Sequence, residues 1–348
     1  MKLPDIRNAK VNGKKVLLRL DFDVPLKAGK VEDDSRLASS LETLTFLLNH
    51  HATVIACGHL GRPEGKADTK FSLKPVAQWF AHKIKSKNSN LKNEMFGSFP
   101  GWKLASNFII LENIRFFKGE EKNDSEFSKQ LASLADLYVD DAFAAVHRNH
   151  ASIAGVAKLL PHFAGFHLQK EVEVLSNVLE HPKRPLIVLI GGAKIETKLP
   201  LVEKMHRFAD YVLVGGKIAE ETRKLLKVQH ERVSGKKSVL LVGDLNSDET
   251  DMTPKNVENF LQILQLGKTI VWNGPVGKTE SAEGCAGTKK LAYGITATHA
   301  YTVIGGGDTE DFLKREHLLS KFSFVSTGGG AMLSFLAGET LPGLEALT

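Results

Sequence analysis

The stretch that decides the fold reads L-I-V-L-I-G-G-A-K-I-E-T-K at residues 186–198. Five apolar residues run into two glycines, and apolar side chains then recur at helical spacing over residues 199–205, which predicts a strand, a tight turn and a helix N-terminus. Glycine lets backbone approach a ligand, and the first N–H groups of a helix lack helical partners, so this turn suits an anion. With Lys194 and Lys198 beside it, the pattern is equally typical of an ordinary strand-to-helix connection with surface lysines.

Composition places the chain among globular proteins. It has 348 residues, 42% hydrophobic and 25% charged, a length that allows roughly two domains. No apolar run reaches the roughly 18 residues of a membrane span, and the first residues lack the apolar core of a signal peptide. We therefore expect a cytoplasmic protein without a membrane partner.

Charge and cysteine usage exclude two further classes. The net charge of +6 would suit a nucleic-acid binder, but the basic residues are scattered rather than gathered with aromatics into a stripe. A small polyanionic substrate explains the excess as well, and we expect no nucleic-acid partner. Cys57 and Cys285 lie far apart with no C-x-x-C spacing, which predicts two core thiols rather than a disulfide or a cysteine zinc site.

Strand and helix patterns alternate along the chain. The predicted strands are residues 16–22, 52–57, 108–111, 137–139, 186–190, 211–214, 239–242, 269–272, 301–304 and 322–325. Helical patterns lie between them, including residues 72–85, 125–135 and 168–179. This alternation predicts an α/β fold with mostly parallel, doubly wound sheets, in which ligands bind beyond the carboxyl ends of the strands. Prolines that follow residues 168–179 mark the predicted domain junction.

The predicted strand ends differ between the two halves. Basic residues recur in the first half, in or just after strands or at a helix start: Arg19, Arg36, His59, Arg62, Arg115, His147 and Arg148. They predict a pocket for a small, highly anionic molecule. Glycines recur in the second half: Gly191–Gly192, Gly215–Gly216, residues 305–307 and residues 328–330. They predict a backbone cradle for a polyphosphate.

Two other motifs do not carry the chemistry that they suggest. Residues 274–279, G-P-V-G-K-T, follow a strand, but they have two residues between the glycines where the Walker A loop needs four. Residues 147–150, H-R-N-H, have no carboxylate or cysteine partner that would indicate zinc, so a helix-surface or anion-contact role is expected.

Together these segments resemble the phosphoglycerate kinase family. The matching strings run in family order from residue 15 to the C-terminus: L-L-R-L-D-F-D-V-P, D-D-S-R, G-H-L-G-R-P, F-S-L-K-P-V-A, L-E-N-I-R-F, E-E-K-N-D, D-D-A-F, H-R-N-H-A-S, R-P-L-I-V-L-I-G-G-A-K, T-I-V-W-N-G-P-V-G, I-G-G-G-D-T, S-T-G-G-G-A and L-P-G-L-E-A-L. Thirteen such strings in order make the resemblance very specific.

The resemblance implies two Rossmann-like domains, joined by a helix and facing across a cleft. The expected boundaries are 1–166 for the phosphoglycerate-binding domain, 167–181 for the connecting helix, 182–335 for the nucleotide-binding domain and 336–348 for a tail that returns to the first domain. The expected substrates are 3-phosphoglycerate or 1,3-bisphosphoglycerate and ADP or ATP with Mg²⁺ as cofactor, in glycolysis. Hinge bending and a monomeric state are also expected.

The resemblance also implies the site residues. The acid-binding set is Asp21, Phe22, Asp23, Arg36, His59, Leu60, Gly61, Arg62, Arg115 and Arg148. The nucleotide-binding set is Gly192, Ala193, Lys194, Lys198, Gly215, Gly216, Asn273, Pro275, Glu280 at the ribose, Gly306, Gly307, Asp308 and Thr309, with Asp308 holding the metal. The catalytic set is Arg36 and Lys198, expected to meet the transferring phosphoryl group from opposite domains, and Gly329 at a helix start.

Several positions depart from the family pattern. Asp23 stands where the family has an asparagine, and it could loosen the acid site. Lys217 replaces a third glycine, Lys278 and Thr279 replace an apolar pair, and residues 228–268 are several tens of residues shorter than usual. We therefore expect turnover with a weak or broadened nucleotide-base preference. The alternative is a degenerate, non-catalytic relative that binds phosphoglycerate or a protein partner.

Overall fold

The chain forms two compact units. The computed structural model describes residues 1–86, 91–193, 195–229 and 238–348. One unit comprises Met1–Glu173 with Thr340–Thr348, and the other comprises Val174–Glu339. We call them unit 1 and unit 2. Among the described residues, no helix is both long and apolar enough to cross a membrane.

Unit 1 is built on a seven-stranded sheet. The strands of unit 1 are β1 (Lys15–Arg19), β2 (Leu26–Lys27), β3 (Lys30–Val31), β4 (Thr53–Cys57), β5 (Asn93–Phe96), β6 (Phe99–Ala105), β7 (Phe108–Leu111), β8 (Leu137–Asp140) and β9 (His162–Ala164). Of these, β2 and β3 form a separate two-stranded hairpin. The sheet order is β5-β6-β7-β4-β1-β8-β9. Pairing is parallel from β7 to β9, and β5 and β6 are antiparallel.

The helices of unit 1 connect these strands. They are α1 (Ser35–Ser39), α2 (Leu41–Asn49), α3 (Lys74–Lys83), α4 (Lys118–Glu121) and α5 (Ser125–Ala132), and α6 (Phe166–Glu180) leads into unit 2. The C-terminal segment belongs to unit 1, where the Gly343 N–H donates to the Val146 carbonyl at 2.9 Å.

Unit 2 is built on a six-stranded, wholly parallel sheet. Its strands are β10 (Leu186–Ile190), β11 (Tyr211–Val214), β12 (Val239–Val242), β13 (Thr269–Asn273), β14 (Tyr301–Gly305) and β15 (Phe324–Ser326), in the order β12-β11-β10-β13-β14-β15. Its helices are α7 (Ile195–Phe208), α8 (Ile218–Gln229), α9 (Pro254–Leu264), α10 (Ala286–Thr296), α11 (Gly307–Arg315) and α12 (Gly329–Ala337). The short helix α13 (Pro342–Glu345) lies in unit 1.

The predicted α/β class with mostly parallel, doubly wound sheets is confirmed. In each sheet the strand order reverses at a central strand, β1 in unit 1 and β10 in unit 2. Ligands of such sheets bind beyond the carboxyl ends of the strands, at the point where the order reverses. β10 is buried along its whole length, as its continuous apolar run predicts for a central parallel strand.

Several predicted boundaries were wrong. β1 ends at Arg19, three residues before the predicted end, and β15 begins at Phe324 because residues 319–321 form a turn of 3-10 helix. The predicted helix over residues 125–135 ends at Ala132. The antiparallel hairpin of β5 and β6 was missed, because the N-E-M-F sequence of β5 shows no run of apolar residues. Cys57 is a core thiol, but Cys285 is only half-buried.

A buried carboxyl group holds the amino end of α6. Asp141 follows β8, and its Oδ1 accepts a hydrogen bond from the Leu168 N–H at 3.0 Å. Burial raises the pKa of the Asp141 carboxyl to about 8, because a nearly dry site disfavours the charged form. The folded protein therefore keeps this group protonated at neutral pH.

Replacing Asp141 with Asn is expected to change how the stability of unit 1 depends on pH. The Asp141 carboxyl has a pKa of about 3.9 in the unfolded chain and about 8 in the folded protein. The wild type therefore loses stability as pH rises from the lower value to the higher one. Asn cannot ionise, so the variant should gain at least about 1 kcal/mol over the wild type from about pH 5 to about pH 9.

Urea unfolding measures this gain, with the fluorescence of Trp79 and Trp102 as the signal in a Trp272→Phe background. The matched control is Asp136→Asn, because Asp136 is exposed and accepts a hydrogen bond from the Lys15 N–H at 2.8 Å. Parallel pH profiles for wild type and Asp141→Asn would contradict a protonated Asp141 in the fold.

Candidate active site

His59 lies at the centre of a cluster of arginines in unit 1. It follows β4, and its ring lies between Arg19 Nη2, at 2.9 Å from Nδ1, and Arg148 Nη1, at 3.0 Å from Nε2. Burial, and then the charge of Arg19, place the pKa of His59 well below its usual value. The ring is therefore neutral at physiological pH.

Arg36 and two aspartates form the next part of this cluster. Arg36 Nη1 donates to the Asp23 carbonyl at 2.8 Å, and its Nε lies 3.8 Å from Asp21 Oδ2. Asp23 Oδ1 accepts a hydrogen bond from the Gly61 N–H at 2.9 Å. The Asp21 carboxyl is buried, neither of its oxygens has a hydrogen-bond partner among the described residues, and burial raises its pKa. The segment after β1 is thus fixed against the segment after β4.

Arg115 joins the cluster from the end of β7. Its Nη1 donates to the Gly61 carbonyl at 2.7 Å, and Glu121 Oε1 lies 3.3 Å from its Nε. Burial, followed by the charge of Arg148, lowers the pKa of Arg115 to about 10. Burial and the charge of Arg19 also lower the pKa of Arg148. A bound anion would relieve this repulsion, so the cluster is suited to a polyanionic ligand.

Other residues of the predicted acid-binding set take different positions. Arg62 is exposed. Phe22 and Leu60 are buried in the hydrophobic core, where the Phe22 ring lies edge-on to Phe80 at 5.8 Å, so only their backbone can face a ligand.

The H-R-N-H segment lies in a turn, not on a helix surface. Burial, and then the charge of Arg115, lower the pKa of His150 to about 3, and its Nδ1 lies 3.8 Å from Glu120 Oε1. No cluster of three metal-ligating side chains occurs within the described part of the chain.

Unit 2 gathers its glycine turns at the carboxyl ends of the strands. Pairing brings Ile190 beside Asn273, and Asn273 beside Gly305, so the turns that follow begin at one level. Gly192 and Gly306 have φ values of +93° and +103°, which side chains rarely tolerate. Glycine is therefore required for these turns.

Asn273 and Thr309 hold the turns together. Asn273 Nδ2 donates to the Gly305 carbonyl at 2.8 Å, and the Gly274 N–H donates to Thr309 Oγ1 at 2.8 Å. Gly329 begins α12 where a Cβ would lie 2.7 Å from Gly306 Cα. Close backbone contact thus fixes the start of α12 against the turn after β14.

A cavity of about 350 Å³ opens beside these turns. Six residues of the predicted nucleotide set line it: Gly192, Ala193, Gly216, Pro275, Glu280 and Asp308. Six described members of that set do not line it: Lys198, Gly215, Asn273, Gly306, Gly307 and Thr309. Lys194 lies outside the described residues.

Lys198 lies beneath the glycine turns. Its side chain is 7% exposed, and its Nζ donates to the Gly191 carbonyl. A Cβ on Gly192 would lie 2.6 Å from this nitrogen, so the amine reaches the turn only because that residue is glycine. In this arrangement the Lys198 amine stabilises the turn through its hydrogen bond to the Gly191 carbonyl.

Sequence reasoning missed one wall of the cavity. Leu245, Glu249 and Thr250 line it from the segment after β12, which we call the 244–253 loop. Asn246 Oδ1 accepts hydrogen bonds from the N–H groups of Thr250 and Asp251, at 3.0 and 3.1 Å. The signal was present in the D-L-N-S-D-E sequence, since Asn, Asp and Ser form turns after a strand end.

The substituted positions also line the cavity. Lys217 and Lys278 are both exposed there, and the Lys278 N–H donates to the Thr250 carbonyl at 2.8 Å. Two lysine side chains and the 244–253 loop therefore contribute to the lining of the cavity together with the glycine turns.

Comparison with known proteins identifies the family. The family model described as phosphoglycerate kinase matches residues 6–240 and 223–339. The chain belongs to the phosphoglycerate kinase family. The phosphoglycerate kinase of Leptospira biflexa is 35% identical over 390 residues, which cover 100% of this chain and 98% of the relative. The phosphoglycerate kinase of Dictyoglomus turgidum is 37% identical over 388 residues, which cover 99% of this chain and 98% of the relative.

Solved structures agree. The phosphoglycerate kinase of Coxiella burnetii matches with a TM-score of 0.82 at 32% identity, covering 99% of both chains. That of Pyrococcus horikoshii matches with a TM-score of 0.80 at 27% identity, covering 99% of this chain and 98% of the relative. The 390 aligned positions in the Leptospira comparison exceed the 348 residues of this chain, so several tens of positions in that phosphoglycerate kinase have no counterpart here.

Replacing Asp251 with Ala should destabilise unit 2 through the 244–253 loop. Asp251 is 4% exposed, and its carboxylate accepts hydrogen bonds from the N–H groups of Gly287, at 2.6 Å, and Met252, at 2.8 Å. Removing it leaves both N–H groups without an acceptor, which should lower the free energy of unfolding by roughly 2–3 kcal/mol.

Urea unfolding followed by Trp272 fluorescence, with Trp79 and Trp102 replaced by Phe, measures this loss. Asp248→Ala is the matched control, because Asp248 is exposed in the same loop and accepts hydrogen bonds from the N–H and hydroxyl groups of Thr250. Equal effects of the two substitutions would show that Asp251 does not anchor the loop.

Proposed function

We propose that this chain is a phosphoglycerate kinase that reversibly transfers the 1-phosphoryl group of 1,3-bisphosphoglycerate to ADP, giving 3-phosphoglycerate and ATP in glycolysis. The observation that carries the proposal is that one chain, related to these kinases over its length, holds two different groups of residues that are suited to anions. An arginine cluster follows the strands of one parallel sheet, and a glycine-lined cavity follows those of the other. Nothing in the comparisons favours a non-catalytic relative.

The arginine cluster is suited to the acid substrate. Arg36, Arg115 and Arg148 gather around residues that follow β1 and β4, and each charge-assisted hydrogen bond to an anion is worth roughly 1.5–3 kcal/mol. Three such contacts would hold a phosphate and a carboxylate firmly. Asp23 adds a negative charge to this site, so a looser grip on the acid stays a prediction.

The glycine-lined cavity is suited to the nucleotide. The backbone around Gly192 and Gly216 would face the phosphates, and Glu280 would reach the ribose. Asp308, in the first turn of α11, lines the cavity and has no ionic partner among the described residues. Mg²⁺ in such sites takes one or two carboxylates, with water and substrate phosphates as its other ligands, so a lone Asp308 fits this ion. When bound, Mg²⁺ would neutralise charge on the nucleotide phosphates.

The chemistry needs no general base from the protein. A phosphate oxygen of ADP is already anionic, so catalysis consists of positioning the reactants and stabilising charge on the transferring group. We assign this stabilisation to Arg36, Lys198 and the N–H groups at the start of α12 around Gly329. Lys198 would have to exchange its bond with the Gly191 carbonyl for one with the phosphoryl group. Closing the site against water would protect the acyl phosphate from hydrolysis.

The part of the cavity that Lys217 and Lys278 line, where we place the nucleotide base, differs in character from the glycine turns, where we place the phosphates. Lys217 and Lys278 place flexible cations where the family has a glycine and an apolar side chain, and a base would lose apolar contact there. We therefore propose a weak or broadened preference for the nucleotide base. The domain boundaries, hinge bending, a monomeric state and a cytoplasmic location stay predictions from the sequence.

Replacing Lys198 with Ala should reduce phosphoryl transfer by roughly 10²–10³-fold, because one donor to the developing charge is lost. A coupled assay of ATP formation from ADP and 1,3-bisphosphoglycerate measures the change in kcat. Lys204→Ala is the matched control, since Lys204 is exposed on the same helix, α7. A Lys198→Ala enzyme with wild-type kcat would remove this lysine from the mechanism.

Replacing Lys278 with Val should raise kcat/KM for ATP and GTP roughly fivefold, because burying an apolar side chain against the base contributes on the order of 1 kcal/mol. Transfer to a bare polyphosphate should stay unchanged, since it presents no base. Steady-state rates with ATP, GTP and polyphosphate measure the change in kcat/KM. The control is Lys290→Val, because Lys290 is exposed on α10. A strict adenine requirement in the wild type would refute the proposed base preference.

A further inference from the structure

The two arginines beside His59 make incompatible demands on its ring. Guanidinium groups only donate hydrogen bonds, and both ring nitrogens of His59 face one, at 2.9 and 3.0 Å. A neutral imidazole has one lone pair and one N–H, so it can accept from only one arginine. The other arginine then faces a ring N–H group, which repels it. The arginine that moves away more easily is therefore the one that faces the protonated ring nitrogen.

Arg19 is the arginine that is held in place. It is completely buried in β1, its Nε donates to Ser152 Oγ at 3.0 Å, and its Nη1 donates to the Leu20 carbonyl. Withdrawing it would leave a buried charge unpaired, which costs several kcal/mol. Its hydrogen bond with His59 Nδ1 is therefore the one that persists.

A buried carboxylate fixes the serine behind Arg19. Glu120, from α4, is fully buried, and it accepts from the Ser152 hydroxyl at 2.6 Å and from the Ser152 N–H at 2.9 Å. With its proton committed to Glu120, the hydroxyl turns a lone pair to Arg19. Ser152 thus links the buried Glu120 carboxylate to the buried Arg19 guanidinium group and fixes one relative to the other.

Arg148 is the arginine that can move. It is half-buried, and its Nε makes a long contact of 3.4 Å with His147 Nε2. On the same side of the ring, Asp23 Oδ2 lies 3.9 Å from His59 Nε2. The charge of Arg115 also disfavours a second proton on His59.

We propose that Glu120, Ser152 and Arg19 are positioning residues, which fix His59 with its proton on Nε2 so that it donates to the acid substrate. Arg148 is then free to leave the ring and bind the same ligand. A neutral histidine with the proton on Nδ1 would instead present a lone pair to the anion. This inference rests on the proposed function, because it assumes that the acid binds in the arginine cluster.

The position of the proton can be measured on the wild-type protein. Protonated and unprotonated ring nitrogens differ strongly in ¹⁵N chemical shift, and His59→Gln identifies the His59 signals in protein labelled with ¹⁵N-histidine. We expect an unprotonated Nδ1 and a protonated Nε2 without ligand. A proton on Nδ1 would overturn the proposal, because Arg148 and not Arg19 would then orient the ring.

The second measurement tests the role of Ser152. Ser152→Ala removes the acceptor of Arg19 Nε, so we expect signals from both His59 tautomers and a roughly tenfold rise in the Kd of 3-phosphoglycerate, the loss of about one hydrogen bond to a charged group. Ser133→Ala, at an exposed helix end, should match the wild type. A Ser152→Ala protein with a single Nε2-protonated ring and wild-type Kd would overturn the proposal.

The two proposals fail in distinguishable ways. If the wild type has the Nε2 proton but binds no 3-phosphoglycerate, the assigned substrate is wrong and the orientation of His59 by Arg19 stands. If Ser152→Ala does not fold, the wild-type tautomer still decides the proposal, because that measurement needs no change at Ser152.

Discussion

Parallel pairing of the central strands is the constraint on which both sites depend. Arg19 pairs with Cys57 on one side and Asp140 on the other, so the segments that follow β1, β4 and β8 leave the sheet at one level. In unit 2, Ile190 pairs with Val214 and Asn273 in the same way. Because parallel strands end at a common edge, loops that are far apart in sequence meet there.

The first site concentrates positive charge in a partly dry setting. Four arginines gather around a neutral histidine, with the buried Asp21 carboxyl group 3.8 Å from Arg36 and the buried Glu120 linked to Arg19 through Ser152. Desolvation lowers the pKa of Arg115 and of Arg148, which means that folding places these charges at a cost. The arrangement is therefore built for an anionic ligand, and the protein holds it through backbone carbonyls such as that of Gly61.

The second site uses backbone where the first uses side chains. Glycines with positive φ at residues 192 and 216 line the cavity, and hydrogen bonds of Asn273 and Thr309 hold the neighbouring turns. The 244–253 loop, which Asp251 fastens to the start of α10, lines the same cavity. Backbone turns and flexible side chains thus line one cavity together.

The sequence by itself determined the fold class, the central strands and the family. A continuous apolar run such as Leu186–Ile190, followed at once by two glycines, favours a buried parallel strand and a tight turn. Gly192 has a φ of +93°, which side chains rarely adopt. Local patterns of this kind depend on neighbours in the chain, and so they can be read from it. The hairpin of β5 and β6 was missed because its pairing, not its composition, makes it a strand.

Only the tertiary structure decided which polar groups touch. Glu120, Ser152 and Arg19 are separated by tens of residues, and nothing in their spacing shows that they form one buried hydrogen-bonded chain. The burial of Phe22, the place of Lys198 beneath its turn and the contribution of the 244–253 loop to the cavity have the same origin. Burial and hydrogen-bond partners are properties of packing between distant segments, and a local pattern carries no information about them.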